Sequence, residues 1–310
     1  MNRREFIGSA AWLAGAGATR TRGLHAAQGR QSPVFYNFHT LRRVGISSWS
    51  FRSFFPSTGG QSTHKPALAI SLLDFPRLIS DRYQVHRLEF SSLHFASTDA
   101  EYLRQLRSAM SRSGSRLVNI AVRSPELAAG AGLSDRDPEI RGRAVTAVKP
   151  WIDAARKAGA AAVSMIPGQI NPADLSPAAD SFRQLSAYGR LRRVQVLIEN
   201  HRGTNPSLIA AIIHETPGRT LGALPDFANF TDAAARATGL GLLFSNARGL
   251  CHADGIKFDS QGNETAFDFR QCLAVARRSR FRGIYSVRFE GPGDPYEGVQ
   301  NVVNELVRYL

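Results

Sequence analysis

Several apolar runs of this chain end in side chains that could do chemistry. V-Q-V-L-I-E-N-H-R-G (194–203) closes on Glu199, Asn200 and His201, and T-L-G-A-L-P-D (220–226) closes on Asp226, with Asn229 just beyond. R-G-L-C-H-A-D (248–254) carries His252 and Asp254, and G-I-Y-S-V-R-F-E (283–290) carries Arg288 and Glu290. Earlier, H-R-L-E-F-S (86–91) holds Glu89 with His94 following, and the run at 43–48 is followed by Trp49. A carboxylate that ends a buried run is costly to desolvate unless it is paired or bound to a metal. Carboxylates and a histidine converging from neighbouring elements suit a hard or borderline divalent cation, whose charge would permit their burial. Singly, each residue has a plainer explanation. Asp226 fits a turn or cap ahead of a helix near Thr231, His252 a hydrogen-bonded core histidine, and Glu199 a partner for one of the many arginines. Jointly, Glu199, Asp226 and His252 on three successive runs favour a site.

The elements that must position these residues alternate. Strand-like runs fall at 43–48, 86–91, 116–122, 160–166, 194–199, 220–226, 248–254 and 283–290. Helical spacing lies between them. Leu72, Phe75, Leu78 and Ile79 mark one helix, and Tyr102, Leu103, Leu106 and Met110 mark another with Asp99 and Gly114 at its ends. A long helix covers 138–158, with Lys149-Pro150-Trp151 as a candidate kink. Strands alternating with helices imply a parallel sheet, and eight units in one chain of this length imply a single-domain α/β fold, a closed (β/α)8 TIM barrel. A doubly wound sheet would want a glycine-rich loop after the first strand, and S-W-S-F-R-S-F-F has no glycine. The 53–70 segment, rich in Ser, Thr, Gly and Pro, follows strand one on the face where barrels place active-site lids. That face also holds the strand-end residues.

The 310-residue chain carries a formal net charge of +14, nearly all of it from arginine, since only Lys65, Lys149, Lys157 and Lys257 are lysines. The arginines are scattered in sequence, which favours a basic surface over a nucleic-acid partner. Cys251 and Cys272 form no C-x-x-C or zinc-knuckle spacing and are expected as reduced core residues. Residues 1–27 begin M-N-R-R-E-F-I-G with a short run of small residues behind, and resemble a twin-arginine export signal with Ala18 or Ala27 at the cleavage point. Residues 28–42 are then a lead-in and 43–310 the barrel. The expected location is periplasmic or extracellular. No stretch is long and apolar enough to cross a bilayer, so no membrane span is expected in the mature protein.

L-I-E-N-H-R-G, then L-P-D-F-A-N-F (224–230), then G-N-E-T-A-F-D-F (262–269) resemble the xylose isomerase-like barrel superfamily, and within it the sugar phosphate isomerase/epimerase branch. L-D-F-P-R (73–77) and V-K-P-W-I-D-A-A-R-K-A-G (148–159) add to the likeness. The resemblance implies a divalent metal ion (Mn, Mg, Co or Zn) held by Glu, Asp, His and Glu from strands five to eight. Glu199, Asp226 and His252 match the first three. It implies a glutamate that abstracts a proton beside a sugar carbonyl, a second acid that returns it, and a metal that stabilises the enediolate. Carried over, Glu199 and Glu290 are the proton-transfer pair. His201, His94 and Arg288 contact substrate, and Trp49 stacks on an apolar sugar face.

Two positions depart from that pattern. Arg288 stands where the family typically has a glutamate, and Asp254 where a lysine is frequent. Both reverse charge on adjacent strands, so Asp254 and Arg288 are expected to pair. A cation beside a dication is unfavourable at any plausible dielectric. Three outcomes stay open: Glu290, on the same strand face, substitutes as ligand; a three-ligand metal completed by water runs different chemistry; or metal binding is lost. The expected function is an exported, metal-assisted sugar isomerase or epimerase taking a small-molecule carbohydrate, with a homo-oligomer compatible. The alternatives are a keto-sugar or polyol lyase or dehydratase, and a non-catalytic sugar-binding barrel, which Arg288 favours. An abasic-site endonuclease, a fold relative, needs a multi-metal set of strand-end histidines that this chain lacks, and export would remove it from DNA.

Overall fold

The structure, a computed structural model, describes residues 38–59, 69–128 and 131–310. The export-signal motif with both cleavage positions, and residues 60–68 of the long loop after the first strand, lie outside the described residues. Among the described residues eight strands form: β1 Val44–Ser47, β2 Arg87–Ser91, β3 Arg116–Ala121, β4 Ala162–Met165, β5 Gln195–Glu199, β6 Leu221–Leu224, β7 Leu250–Gly255 and β8 Ile284–Phe289. Seven fall within the expected apolar runs, and β7 overruns its run, 248–254, by Gly255. All pair in parallel, in the order β6-β5-β4-β3-β2-β1-β8-β7. The remaining seam, β6 to β7, is closed by bridges Ala223–Ala247 and Asp226–His252. His252 N donates to Pro225 O there at 2.8 Å. The fold is thus a (β/α)8 barrel in one domain, with a seam that itself brings Asp226 to His252.

The connecting helices form where the sequence provides caps. Asp99 accepts from Tyr102 N at 2.7 Å at the start of Ala100–Arg112. Asp137 accepts from Glu139 N at 2.8 Å, and Pro138 opens Pro138–Ala158. Gly159, at φ 83, ends that helix in the left-handed conformation that glycine adopts without strain. Pro150 removes one backbone donor but does not end the helix.

The barrel interior is layered. Ala162, Leu197, Leu224 and Leu250 pack as a small apolar cluster with Val118 and Ile284 against it. Two residues further along β4, β5, β7 and β8, on the same inward face, stand Ser164, Glu199, His252 and Ser286, all buried. One more step brings Asp254 and Arg288. The interior therefore changes from apolar to ionic toward the C-terminal ends of the strands. The larger apolar core lies outside the sheet, between strands and helices. The chain's positive charge has a side as well: Arg42, Arg87, Arg116, Arg193, Arg219, Arg248 and Arg282 all sit in or beside the starts of strands. Arginines scattered in sequence are gathered by the fold on the face opposite the ionic layer.

Candidate active site

Register decides which strand-end residues meet. On β7 and β8, His252 stands opposite Ser286, and Asp254 opposite Arg288. The β2–β3 register shifts between Leu88 and Glu89, after which Glu89 pairs with Asn119. Irregularities of this kind re-aim a side chain, and they recur next to active sites. Glu89, Glu199, Asp226, His252 and Asp254 are all at most 1% exposed, and Arg288 is 5% exposed. So many buried ionisable groups require a bonding account.

Arg288 is the hub. Its Nε donates to Asp254 Oδ1 at 2.9 Å and its Nη1 to Glu199 Oε1 at 2.8 Å, while Nη2 donates to Asp226 Oδ2. Nη2 also lies 3.5 Å from Glu290 Oε1 at the rim. The Asp254–Arg288 pair expected from the reversed charges is therefore formed. Arg123, just past β3, holds Glu199 from the other side, with Nη2 2.9 Å from Oε2 and 3.2 Å from Oε1. The second oxygen of Asp254 accepts from Phe227 N (3.1 Å) and Ala228 N (3.3 Å). Asp226 Oδ1 accepts from Ala228 N and Asn229 N, and Asn200 clamps the Asp226 backbone from both sides. The plainer explanations thus hold for part of each residue: Asp226 caps a turn with one oxygen and Glu199 pairs with arginines. What remains is where Asp226 Oδ2, Glu199 Oε1 and the imidazole converge.

His252 Nε2 lies 3.1 Å from both oxygens of Glu89. Asn119 Nδ2 in turn donates to Glu89 Oε2 (3.1 Å) and to Ser164 Oγ (2.8 Å). Among the described residues, Nδ1 of His252 has no hydrogen-bond partner. It lies 3.4 Å from Asp226 Oδ2 and 3.6 Å from Glu199 Oε1. Burial and Arg288 push the His252 pKa down, but Glu89, Glu199 and Asp226 outweigh them and raise it to about 10. Burial pushes Glu199 up, yet Arg123, His252 and Arg288 together hold its carboxyl far below the usual range. Burial likewise opposes ionisation of Asp226, and Arg288 with His252 holds that carboxyl low.

Glu199, Asp226 and His252 offer one ligand atom each within 4.8 Å of one another, a group able to hold a divalent metal ion. Without Arg288 the donor set would suit such an ion. So would the unpartnered Nδ1, because a ligating histidine commonly has its other nitrogen held by a carboxylate, the place Glu89 takes. Arg288 bonds the same two carboxylates. A dication and a guanidinium about 4 Å apart repel by roughly 8 kcal/mol at an effective dielectric of 20.

The other sequence-nominated residues are spread around this centre. Trp49 is half-buried on the 3-10 turn Ser48–Phe54 that follows β1, with the Arg52 guanidinium 5.5 Å from its ring centroid. His94 is buried, stacked on Phe55 at 3.9 Å, with Nδ1 2.9 Å from Ser48 Oγ. Burial, then Arg52, pushes its pKa down to about 3, so the ring is neutral. His201 is exposed in the turn after β5, its backbone N–H bonded to Thr204 Oγ1 at 2.9 Å, and its ring is not among the partners of the ionic network. The 36%-exposed Glu290 is the rim carboxylate. Two residues acquire roles that sequence reasoning did not assign them: Glu89 orients His252, and Arg123 neutralises Glu199. Glu89 is a carboxylate in the middle of β2 and Arg123 a charge just past β3, and a charge in or beside a buried strand is the signal that could have found them. Glu264, within the G-N-E-T-A-F-D-F motif, accepts from Ile256 N, Lys257 N and Ala266 N and so ties down the loop after β7.

Comparison with known proteins agrees with this architecture. The family model for the xylose isomerase-like TIM barrel matches residues 84–306. Similar solved structures include a D-tagatose 3-epimerase-like protein, at 14% identity and TM-score 0.65, covering 86% of this chain and 97% of that one. A xylose isomerase-like TIM barrel protein from Mycobacterium smegmatis in complex with magnesium shares 14% identity at TM-score 0.61, covering 89% and 99%. The 3-keto-D-glucoside 4-epimerase from E. coli shares 15% identity at TM-score 0.62, covering 85% and 98%. Likeness at this identity shows the fold. No curated protein matches the chain. The family match over most of the barrel, on a chain whose eight strands close as described, shows that the protein belongs to the xylose isomerase-like TIM barrel family.

Proposed function

We propose that the protein acts on a small carbohydrate at the C-terminal mouth of the barrel, as an isomerase or epimerase that moves a proton at a carbon beside a carbonyl. The observation that carries this reading is the buried Glu199–Asp226–His252 group, with Glu89 fixing the imidazole from behind. The names of similar folds, among them the D-tagatose 3-epimerase-like protein and the 3-keto-D-glucoside 4-epimerase, support it. Were Arg288 to leave room for a divalent ion, Glu199, Asp226 and His252 would hold it and it would supply carbonyl polarisation; the positive charge bonded to both carboxylates is the Arg288 guanidinium.

The chain's own side chains divide the remaining work. A carboxylate held as low as Glu199 is a poor base, so Glu199 anchors positive charge and the proton-transfer role passes to Glu290 at the rim. Trp49, half-buried on the turn after β1, is the indole on which a sugar ring would stack. His94, neutral and bonded to Ser48, holds that loop in place. The Arg3-Arg4-x-Phe6 start supports action outside the cytoplasm.

Incubation with ketohexoses and 3-keto-glucosides in heavy water tests the reading. The expected result is deuterium at the carbon next to the carbonyl, and a rate lowered roughly 100-fold in Glu290→Gln. Loss of water from the sugar would point instead to a lyase or dehydratase. A second reading, a non-catalytic sugar-binding barrel, is favoured by the three carboxylates that engage Arg288. Saturable sugar binding with no exchange would establish it.

A further inference from the structure

The oxygens that would ligate a metal ion are already bonded to a cation. Arg288 Nη1 lies 2.8 Å from Glu199 Oε1, and Nη2 is bonded to Asp226 Oδ2. The same two oxygens lie nearest His252 Nδ1, at 3.6 and 3.4 Å. An ion bound to all three atoms at the usual ~2.0–2.2 Å would sit against the guanidinium. The guanidinium is held in place: Asp254 takes its Nε at 2.9 Å from the position opposite in register, and Glu290 approaches from the rim. It cannot give up its proton to relieve the repulsion, because arginine stays charged in proteins.

We propose that Arg288 is the resident cation of this site. The chain supplies, on its own side chain, the positive charge that Glu199 and Asp226 require, and a divalent ion binds only weakly to the folded protein. That the charge serves carbonyl polarisation rests on the carbohydrate reading; its occupancy of the ligand oxygens does not.

The test is manganese binding to the full-length chain after stripping with EDTA, by calorimetry and by thermal unfolding with and without Mn2+. The wild type is expected to show no saturable Mn2+ binding below millimolar concentration and no change in Tm. Arg288→Glu, which supplies a fourth ligand, is expected to gain one Mn2+ site at least roughly 100-fold tighter, with Tm raised by the ion. Should Arg288→Glu fail to fold, Arg288→Gln removes the charge alone and is expected to bind Mn2+ more tightly than the wild type. One Mn2+ per wild-type chain at micromolar affinity, or a wild-type Tm lowered by EDTA, overturns the proposal. A folded Arg288 variant as silent as the wild type does so too. The heavy-water assay separates this from the functional reading. Exchange that requires Mn2+ removes the resident cation and keeps the isomerase. No exchange with a silent titration keeps the resident cation and removes the isomerase.

Discussion

Asp254 and Arg288 stand opposite each other in register on β7 and β8, with Nε 2.9 Å from Oδ1 and both side chains buried. The pair is one edge of a larger figure, because the same guanidinium also engages Glu199 and Asp226. Removing the hub leaves three carboxylates without their shared cation, whereas removing one carboxylate leaves the cation with two. Arg288→Met should destabilise the protein by about 3–5 kcal/mol, and Asp254→Asn by only about 1–3 kcal/mol. The double variant should be less damaged than the sum, since the two sites are coupled. Urea unfolding of the four proteins measures the cycle, and simple additivity would show that the pair is not a working contact.

Glu89 should matter through His252. Glu89→Gln keeps the shape but removes the charge that faces Nε2. Unfolding free energy should drop by about 1.5–3 kcal/mol, the range for a hydrogen bond to a charged group. The imidazole resonances of His252 in a nitrogen-15 spectrum should move while those of exposed His201 stay fixed.

Glu305, on the final helix Pro295–Tyr309, is 4% exposed, and its Oε2 has no hydrogen-bond partner among the described residues. Burial pushes its pKa up from 4.5 to about 7; the Glu264 backbone opposes the rise and the Glu264 charge adds to it. Below pH 4.5 the carboxyl is protonated in the folded and unfolded chains alike. As pH rises toward 7, the unfolded chain ionises first, so stability is lost through that window. Glu305→Gln should equal the wild type near pH 4 and exceed it at pH 8 by roughly 2–3 kcal/mol. Denaturant unfolding at both pH values reads this directly, and a difference independent of pH would sink it.

Cys251 on β7 and Cys272 on the helix Phe269–Arg278 are free and no more than 1% exposed. Burial pushes both thiols up, Cys272 to about 12. The native protein should therefore resist a thiol reagent such as DTNB, and both thiols should react once it is unfolded. Rapid reaction of either thiol in native buffer would mean that this part of the core opens.

The sequence by itself determined the alternation of strands and helices, and hence the barrel, because period and capping are local. Asp99, Asp137 and Gly159 mark their helix ends through bonds to near neighbours in the chain. It also determined that Glu199, Asp226, His252 and Arg288 share the C-terminal end, since strand direction in a parallel sheet follows from alternation. Only the tertiary structure decided which of them touch. Glu89 meets His252 across 163 residues of chain, and Arg123 meets Glu199 across 76. Those meetings depend on barrel closure, on the register shift at Leu88/Glu89 and on the β6–β7 seam, none of which leaves a periodic trace in the sequence. The sequence posed the question of which cation Glu199 faces. The fold answers with two guanidiniums, because a barrel brings side chains from non-adjacent strands to one axis and buried carboxylates must be neutralised there.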